Sequence, residues 1–252
     1  MSVVADEQAQ EPTGRVRVYE EGALRQVAGE AIRPGGLELT ERAVALWDLA
    51  PGARVLDLGC GTGVSIEHLG SRRGMWAIGL DASALLLREG RERQAQLPLL
   101  QAAGERLPMA SSSMDAVLAE CTLSLMADLG QALAECHRVL RPRGLLAVTD
   151  LYARQPDGAA TLHRLPLCSC LSGALPREEF AGHLRAAGFE VPIWEDHSGA
   201  LGSLAAQLIM AHGSLDRFWR QMVPSGADTA QIGPAIAAAR PGYFLLIARA
   251  LP

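Results

Sequence analysis

A chain of 252 residues can form one large domain with a substantial core. Its formal net charge of −5 argues against a broad basic footprint for nucleic acid or an anionic membrane surface. The longest apolar runs fall short of the roughly 18 residues that span a bilayer, and five cysteines behind a polar, acidic N-terminus read as free thiols in a reducing cytoplasm.

Residues 1–17 are polar and read as a disordered tail, followed by a single domain over 18–252. Helical character appears over about 18–31 and 38–49, where Leu39, Ala43, Leu46 and Trp47 form an apolar stripe and Thr40 could cap the start. Strand signals then alternate with helices. Arg54–Leu58 leads to a helix from about 63, Trp76–Leu80 to one from about Ala84, and Ala116–Ala119 to one over 128–140, before Leu145–Thr149. That alternation predicts an α/β fold, a parallel sheet with helices on both faces. In the 128–140 helix, Leu129, Ala132, Leu133, Cys136, Val139 and Leu140 keep the i, i+3, i+4, i+7 spacing. Beyond Asp150 an irregular insert is expected at 151–174, then an amphipathic helix at 176–187, a strand near Val191–Trp194, a helical stretch at 203–221 and a last buried strand at Tyr243–Ala248. The segments 151–174 and 198–240 read as lid elements over a substrate.

The most informative stretch is Val55-Leu56-Asp57-Leu58-Gly59-Cys60-Gly61-Thr62-Gly63. A buried strand ends there in a glycine turn that opens a helix, and glycine lets the backbone turn sharply beside a ligand. A dinucleotide fingerprint needs glycine at the first, third and sixth positions, but the sixth here is Val64. Asp81, 24 residues after Asp57, ends the second strand signal, where a carboxylate can accept hydrogen bonds from both hydroxyls of a ribose.

Asp57 with Gly59, Gly61 and Gly63 resembles the nucleotide loop of the class I S-adenosylmethionine-dependent methyltransferases, including the type 11 and quinone-biosynthesis group. The resemblance implies a Rossmann-like seven-stranded sheet and S-adenosylmethionine as cofactor. It also implies a cofactor site of Asp57, Gly59, Gly61, Gly63, Asp81, Gly104, Glu105 and Glu120. Gly104-Glu105 falls at the adenine-side loop, with Ala103 where many members carry Asp, and Glu120 and Cys121 would edge the sulfonium.

The segments around Met114–Leu125, Cys136–Gly144, Val148–Tyr152 and Cys170–Leu175 resemble arsenite methyltransferases, in which cysteines at the positions of Cys121 and Cys170 lie in or near the acceptor pocket. Soft thiolates suit a thiophilic element. Those enzymes supply a further cysteine downstream, whereas residues 171–252 contain none. Either Cys168 completes the set or the acceptor differs. Cys121, Cys168 and Cys170 form a thiol set without the paired spacing of a structural zinc site. Cys60 and Cys136 read as packing residues, and the six histidines as surface or core residues.

Methyl transfer depends mainly on alignment. No catalytic group is therefore singled out, and Cys121, Cys170 and Asp150 are the candidates, with Glu120 and Tyr152 as further bases for an oxygen or carbon acceptor. The expected activity is methyl transfer to a small-molecule acceptor. Methylation of a metalloid or thiol, and a regulatory protein that binds the cofactor without catalysis, stand as alternatives. Nucleic-acid methylation is disfavoured by charge and by the lack of an Asn-Pro-Pro-Tyr motif.

Overall fold

The computed structural model describes residues 16–20, 22–223 and 229–252. In chain order the elements begin with β1 (Val16–Arg17), α1 (Gly22–Ala28), α2 (Gly36–Trp47), β2 (Arg54–Leu58), α3 (Val64–Arg73), β3 (Trp76–Asp81), α4 (Ala84–Arg93) and β4 (Leu99–Gln101). Next come β5 (Met114–Glu120), a single turn at Leu123–Leu125, α5 (Leu129–Val139), β6 (Leu140–Ala153), α6 (Pro156–Leu162), β7 (Leu167–Cys168) and β8 (Leu175–Pro176). The chain ends with α7 (Arg177–Ala186), β9 (Phe189–Asp196), α8 (Ser198–His212), α9 (Leu215–Met222), α10 (Ile232–Ala239) and β10 (Pro241–Ala250).

The main sheet runs β4-β3-β2-β5-β6-β10-β9, and the two-residue β8 pairs with the far end of β6 as an eighth strand. Strands β2 to β6 are parallel, while β10 lies antiparallel between β6 and β9. Alternation along the strands feeds two cores. Val55, Ala116, Leu118 and Ala147 point to one face against Leu39, Val44 and Trp47 of α2 and Ile66 and Leu69 of α3. Leu56, Val117, Leu146 and Val148 point to the other, against Leu133 and Cys136 of α5 and Phe180 and Leu184 of α7. The stripe read from α5 is the one it buries, and the Asp128 carboxylate caps the helix by accepting from Gln131 N at 2.9 Å. Cys136 is fully buried as a packing residue.

Several boundaries move. Val16–Arg17, assigned to the tail, pair in parallel with β7, while the rest of that tail, residues 1–15, lies outside the described residues. The 151–174 insert contains α6 and β7. The single helical stretch at 203–221 is two helices, broken where Gly213 takes φ +84°. Thr40 is not a cap; it is buried inside α2 with its hydroxyl on Glu120. Leu24, Leu162, Leu208, Phe218 and Ile232 form a third core, joining α1, α6 and α8–α10 beyond the strand ends.

Candidate functional site

β2 ends at the glycine turn, and β3 holds that turn in place: Gly59 N and Cys60 N both donate to Leu80 O, at 2.7 and 3.0 Å. Gly59 has φ +73°, and a Cβ there would lie 2.1 Å from Thr122 Oγ1. Gly61 has φ +54° and open space where its Cβ would project. One glycine is thus required by close packing and the other keeps a cradle clear. Asp81, at the end of β3, accepts from Gly61 N through Oδ2 and from Ser83 N through Oδ1, both at 2.8 Å. These bonds fix the carboxylate at the rim of the cradle.

The cradle opens into a cleft of about 360 Å³. Of the eight residues expected to bind the cofactor, Gly59, Gly61, Asp81, Gly104, Glu105 and Glu120 line it. Asp57 and Gly63 do not. Asp57 is 2% exposed beneath the turn, where burial pushes its carboxyl well above the carboxylate range; the Glu120 charge adds to the rise and Arg33 opposes it. Gly63 packs its backbone on Leu99 and Leu97. Glu105 clamps the wall, its Oε1 accepting from Ala127 N at 2.8 Å.

The opposite wall comes from the N-terminal segment, where Tyr19, Glu30, Ile32 and Arg33 face the cleft. Arg33 and Glu120 form an ion pair at 2.7 Å with side chains only 10% and 2% exposed. Arg33 Nη2 donates to Thr40 and Ser65, and both hydroxyls donate on to Glu120 at 2.9 and 3.0 Å. Glu120 is therefore committed to this network and is not a free base. Arg33 Nε is buried with no hydrogen-bond partner. The sequence marks none of Tyr19, Arg33 and Ser65 and gives Thr40 only a capping role, because polar residues carry no periodic signal when they face each other across a fold.

Beside the cleft wall at Cys121 the structure brings the three catalytic candidates together. Cys121 Sγ, Cys170 Sγ and a carboxylate oxygen of Asp150 lie within 4.8 Å of one another, all buried. Cys121 sits on the cleft wall with φ +52°, a left-handed conformation rare for a residue with a side chain. Its thiol is 3.3 Å from Tyr243 Oη, which also donates to Thr149 Oγ1. Asp150 accepts from Ser124 Oγ at 2.7 Å, Ser124 N at 3.1 Å and Leu151 N at 2.8 Å, yet burial still raises its carboxyl above the usual range. Burial pushes the Cys170 thiol well up, and Cys170 N donates to Tyr19 Oη at 3.1 Å. The backbone of Cys168 lies in β7, paired with Arg17. Tyr152 is engaged elsewhere, donating to Asp196 at 2.6 Å and packed edge-on against Trp194. A second cavity, walled by Ser124, Asp150, His163 and Phe180, shares Leu125, Met126 and Ala127 with the cleft.

A parallel sheet whose first strand ends in a glycine cradle, with an acid closing the next strand, defines a nucleoside-binding α/β domain. Residues 56–148 match the family model described as a methyltransferase domain. The chain is 33% identical over 178 residues to the demethylmenaquinone methyltransferase of Corynebacterium urealyticum, spanning 62% of this chain and 76% of that protein. It is 37% identical over 143 residues to the malonyl-[acyl-carrier protein] O-methyltransferase of Enterobacter lignolyticus, spanning 51% of this chain and 56% of that protein. Among solved structures, the [4+2]-cyclase SpnF superposes with a TM-score of 0.70 at 27% identity over 93% of both chains. The chain belongs to the class I S-adenosylmethionine-dependent methyltransferases, in the group that contains the quinone-biosynthesis enzymes. It is an enzyme whose cofactor is S-adenosylmethionine and whose acceptor is a small molecule. These relatives are named for quinone and acyl-carrier acceptors and lend no support to a metalloid or thiol acceptor.

Proposed function

We propose that the acceptor is a hydroxylated or quinol-type ring compound, methylated at oxygen or carbon. The relative named for a demethylmenaquinone is matched over 76% of its length, against 56% for the relative named for a malonyl carrier protein. The observation that carries the reading is the buried Asp150, which lies with Cys170 beside Cys121 of the cleft wall.

When bound, S-adenosylmethionine supplies a methyl group activated by a sulfonium leaving group. The protein fits it on two counts: an open cradle at Gly61 and an unpartnered buried donor at Arg33 Nε. Asp81 would accept from the ribose hydroxyls, Arg33 Nε would donate to the carboxylate of the methionine part, and Gly104 and Glu105 would bound the adenine. Gly59 and Asp57 would act indirectly by holding the turn. The remaining tasks are alignment, worth roughly 7–11 kcal/mol when complete, and removal of the acceptor's proton. Glu120 is paired with Arg33 and Tyr152 with Asp196; Asp150, buried beside Cys121 and Cys170, would take the acceptor's proton. The segments 151–174 and 198–240, with residues 18–33, would cover the acceptor.

The test is a methyl-transfer screen with quinols, phenols, malonyl thioesters and trivalent arsenic, read by S-adenosylhomocysteine release. Turnover with ring hydroxyls or quinols supports the proposal; turnover confined to the other classes overturns it. The whole-length likeness to a protein named as a cyclase makes S-adenosylhomocysteine the necessary readout, since an acceptor rearranged without it would show a retained but unused cofactor.

A further inference from the structure

We propose that Cys121, Asp150 and Cys170 form a binding site for a soft divalent cation of the zinc type. Three ligand atoms come from three separate places in the chain: the exit of β5, the body of β6 and the loop after β7. They converge within 4.8 Å, and every residue is buried. Tetrahedral zinc holds such atoms about 3.6–3.8 Å apart, given bonds of about 2.1–2.3 Å. The site therefore needs at most about 1 Å of contraction, within reach of a χ1 adjustment.

The donor chemistry selects the ion. Two thiolates and one carboxylate suit zinc, whereas magnesium and calcium prefer oxygen-only cages. The surroundings are those of a supported ligand set. Asp150 is oriented by Ser124 Oγ, Ser124 N and Leu151 N, Cys121 by the Tyr243 hydroxyl, and the Cys170 backbone by Tyr19. Ligation by the two cysteines releases their thiol protons on binding. Cys60 and Cys136, the other cysteines whose side chains are described, belong to no such group.

Three protein ligands leave a fourth position for water or for an acceptor oxygen, the arrangement of a zinc centre that eases deprotonation of what it binds. Cys121 puts the site at the cleft wall. This role rests on the acceptor reading above, whereas cation binding itself does not.

The experiment uses the full chain. Purified protein is equilibrated with zinc, desalted and measured for metal content, then substituted with cobalt and examined for the thiolate-to-cobalt charge-transfer absorption. The expected result is about one zinc per chain and a charge-transfer band in the native protein. Both are lost in the Cys121→Ser/Cys170→Ser double variant and kept in Cys136→Ala. Ser124→Ala, which removes a bond to Asp150 but no ligand, should lower zinc affinity about 10–100-fold. A native protein without the band overturns the proposal whatever the variants do, as does a folded double variant that retains it. S-adenosylmethionine binding to the zinc-free native chain, measured by calorimetry, separates failure of this site from failure of the cofactor reading.

Discussion

Arg33→Met removes the cation from a pair whose carboxylate, Glu120, is 2% exposed. At the observed 2.7 Å, two unit charges in an effective dielectric of about 20 attract by about 6 kcal/mol. Desolvation of both groups offsets part of that, and breaking such a pair from one side costs about 3–5 kcal/mol because the other charge stays buried. The loss extends to Thr40 and Ser65, whose hydroxyls bridge the two partners. For a chain of this size the cost corresponds to a melting point lower by roughly 6–20 °C. Adding Glu120→Gln removes the stranded charge, so the double variant should be more stable than Arg33→Met alone, by about 1–3 kcal/mol. Urea unfolding of the native chain, both single variants and the double variant closes the cycle. A cost below about 1 kcal/mol for Arg33→Met, or a double variant no more stable than it, would refute the buried-pair account.

Gly61→Ala should lower stability by only about 1–2 kcal/mol, the strain of a left-handed alanine at φ +54°, while S-adenosylmethionine affinity falls at least tenfold in calorimetry. Gly59→Ala adds a clash with Thr122 and should lower the melting point further. Asp81→Ala should weaken cofactor binding by about 10–100-fold, the worth of hydrogen bonds to a charged acceptor; unchanged affinity would remove Asp81 from the site. The raised carboxyl of Asp57 means that the folded chain binds a proton more tightly than the unfolded chain does there. Its contribution therefore grows less favourable as pH rises from the ordinary carboxylate range toward the raised folded-state value. Asp57→Asn should gain stability relative to the native chain as pH rises; denaturation curves between pH 5 and 8 with a constant difference would contradict this.

Much of the sheet is legible because strand and helix periods differ and buried parallel strands are continuously apolar. Arg54–Leu58 appears with the expected bounds, and the 128–140 helix within one or two residues. β4 was not legible: three residues with one buried side chain carry too little pattern. Nor were β1, β7 and β8, two residues each, whose pairing depends on distant chain. Of the helices after β9, α8 and α10 carry little periodic pattern, whereas α9 is strongly amphipathic; α8 packs on α9, β10 and α1, and α10 on α6.

The site divides along the same line. Local chain determined the glycine cradle, Asp81 and the 104–105 loop, since each needs only a strand end and a tight turn, and turns are specified by neighbouring residues. The tertiary structure alone decided that Asp57 is buried support, that Glu120 belongs to Arg33, and that Cys121, Asp150 and Cys170 meet. Those contacts join residues about 20 to 87 positions apart in sequence, and no local propensity encodes which buried polar groups will satisfy one another once the sheet has closed.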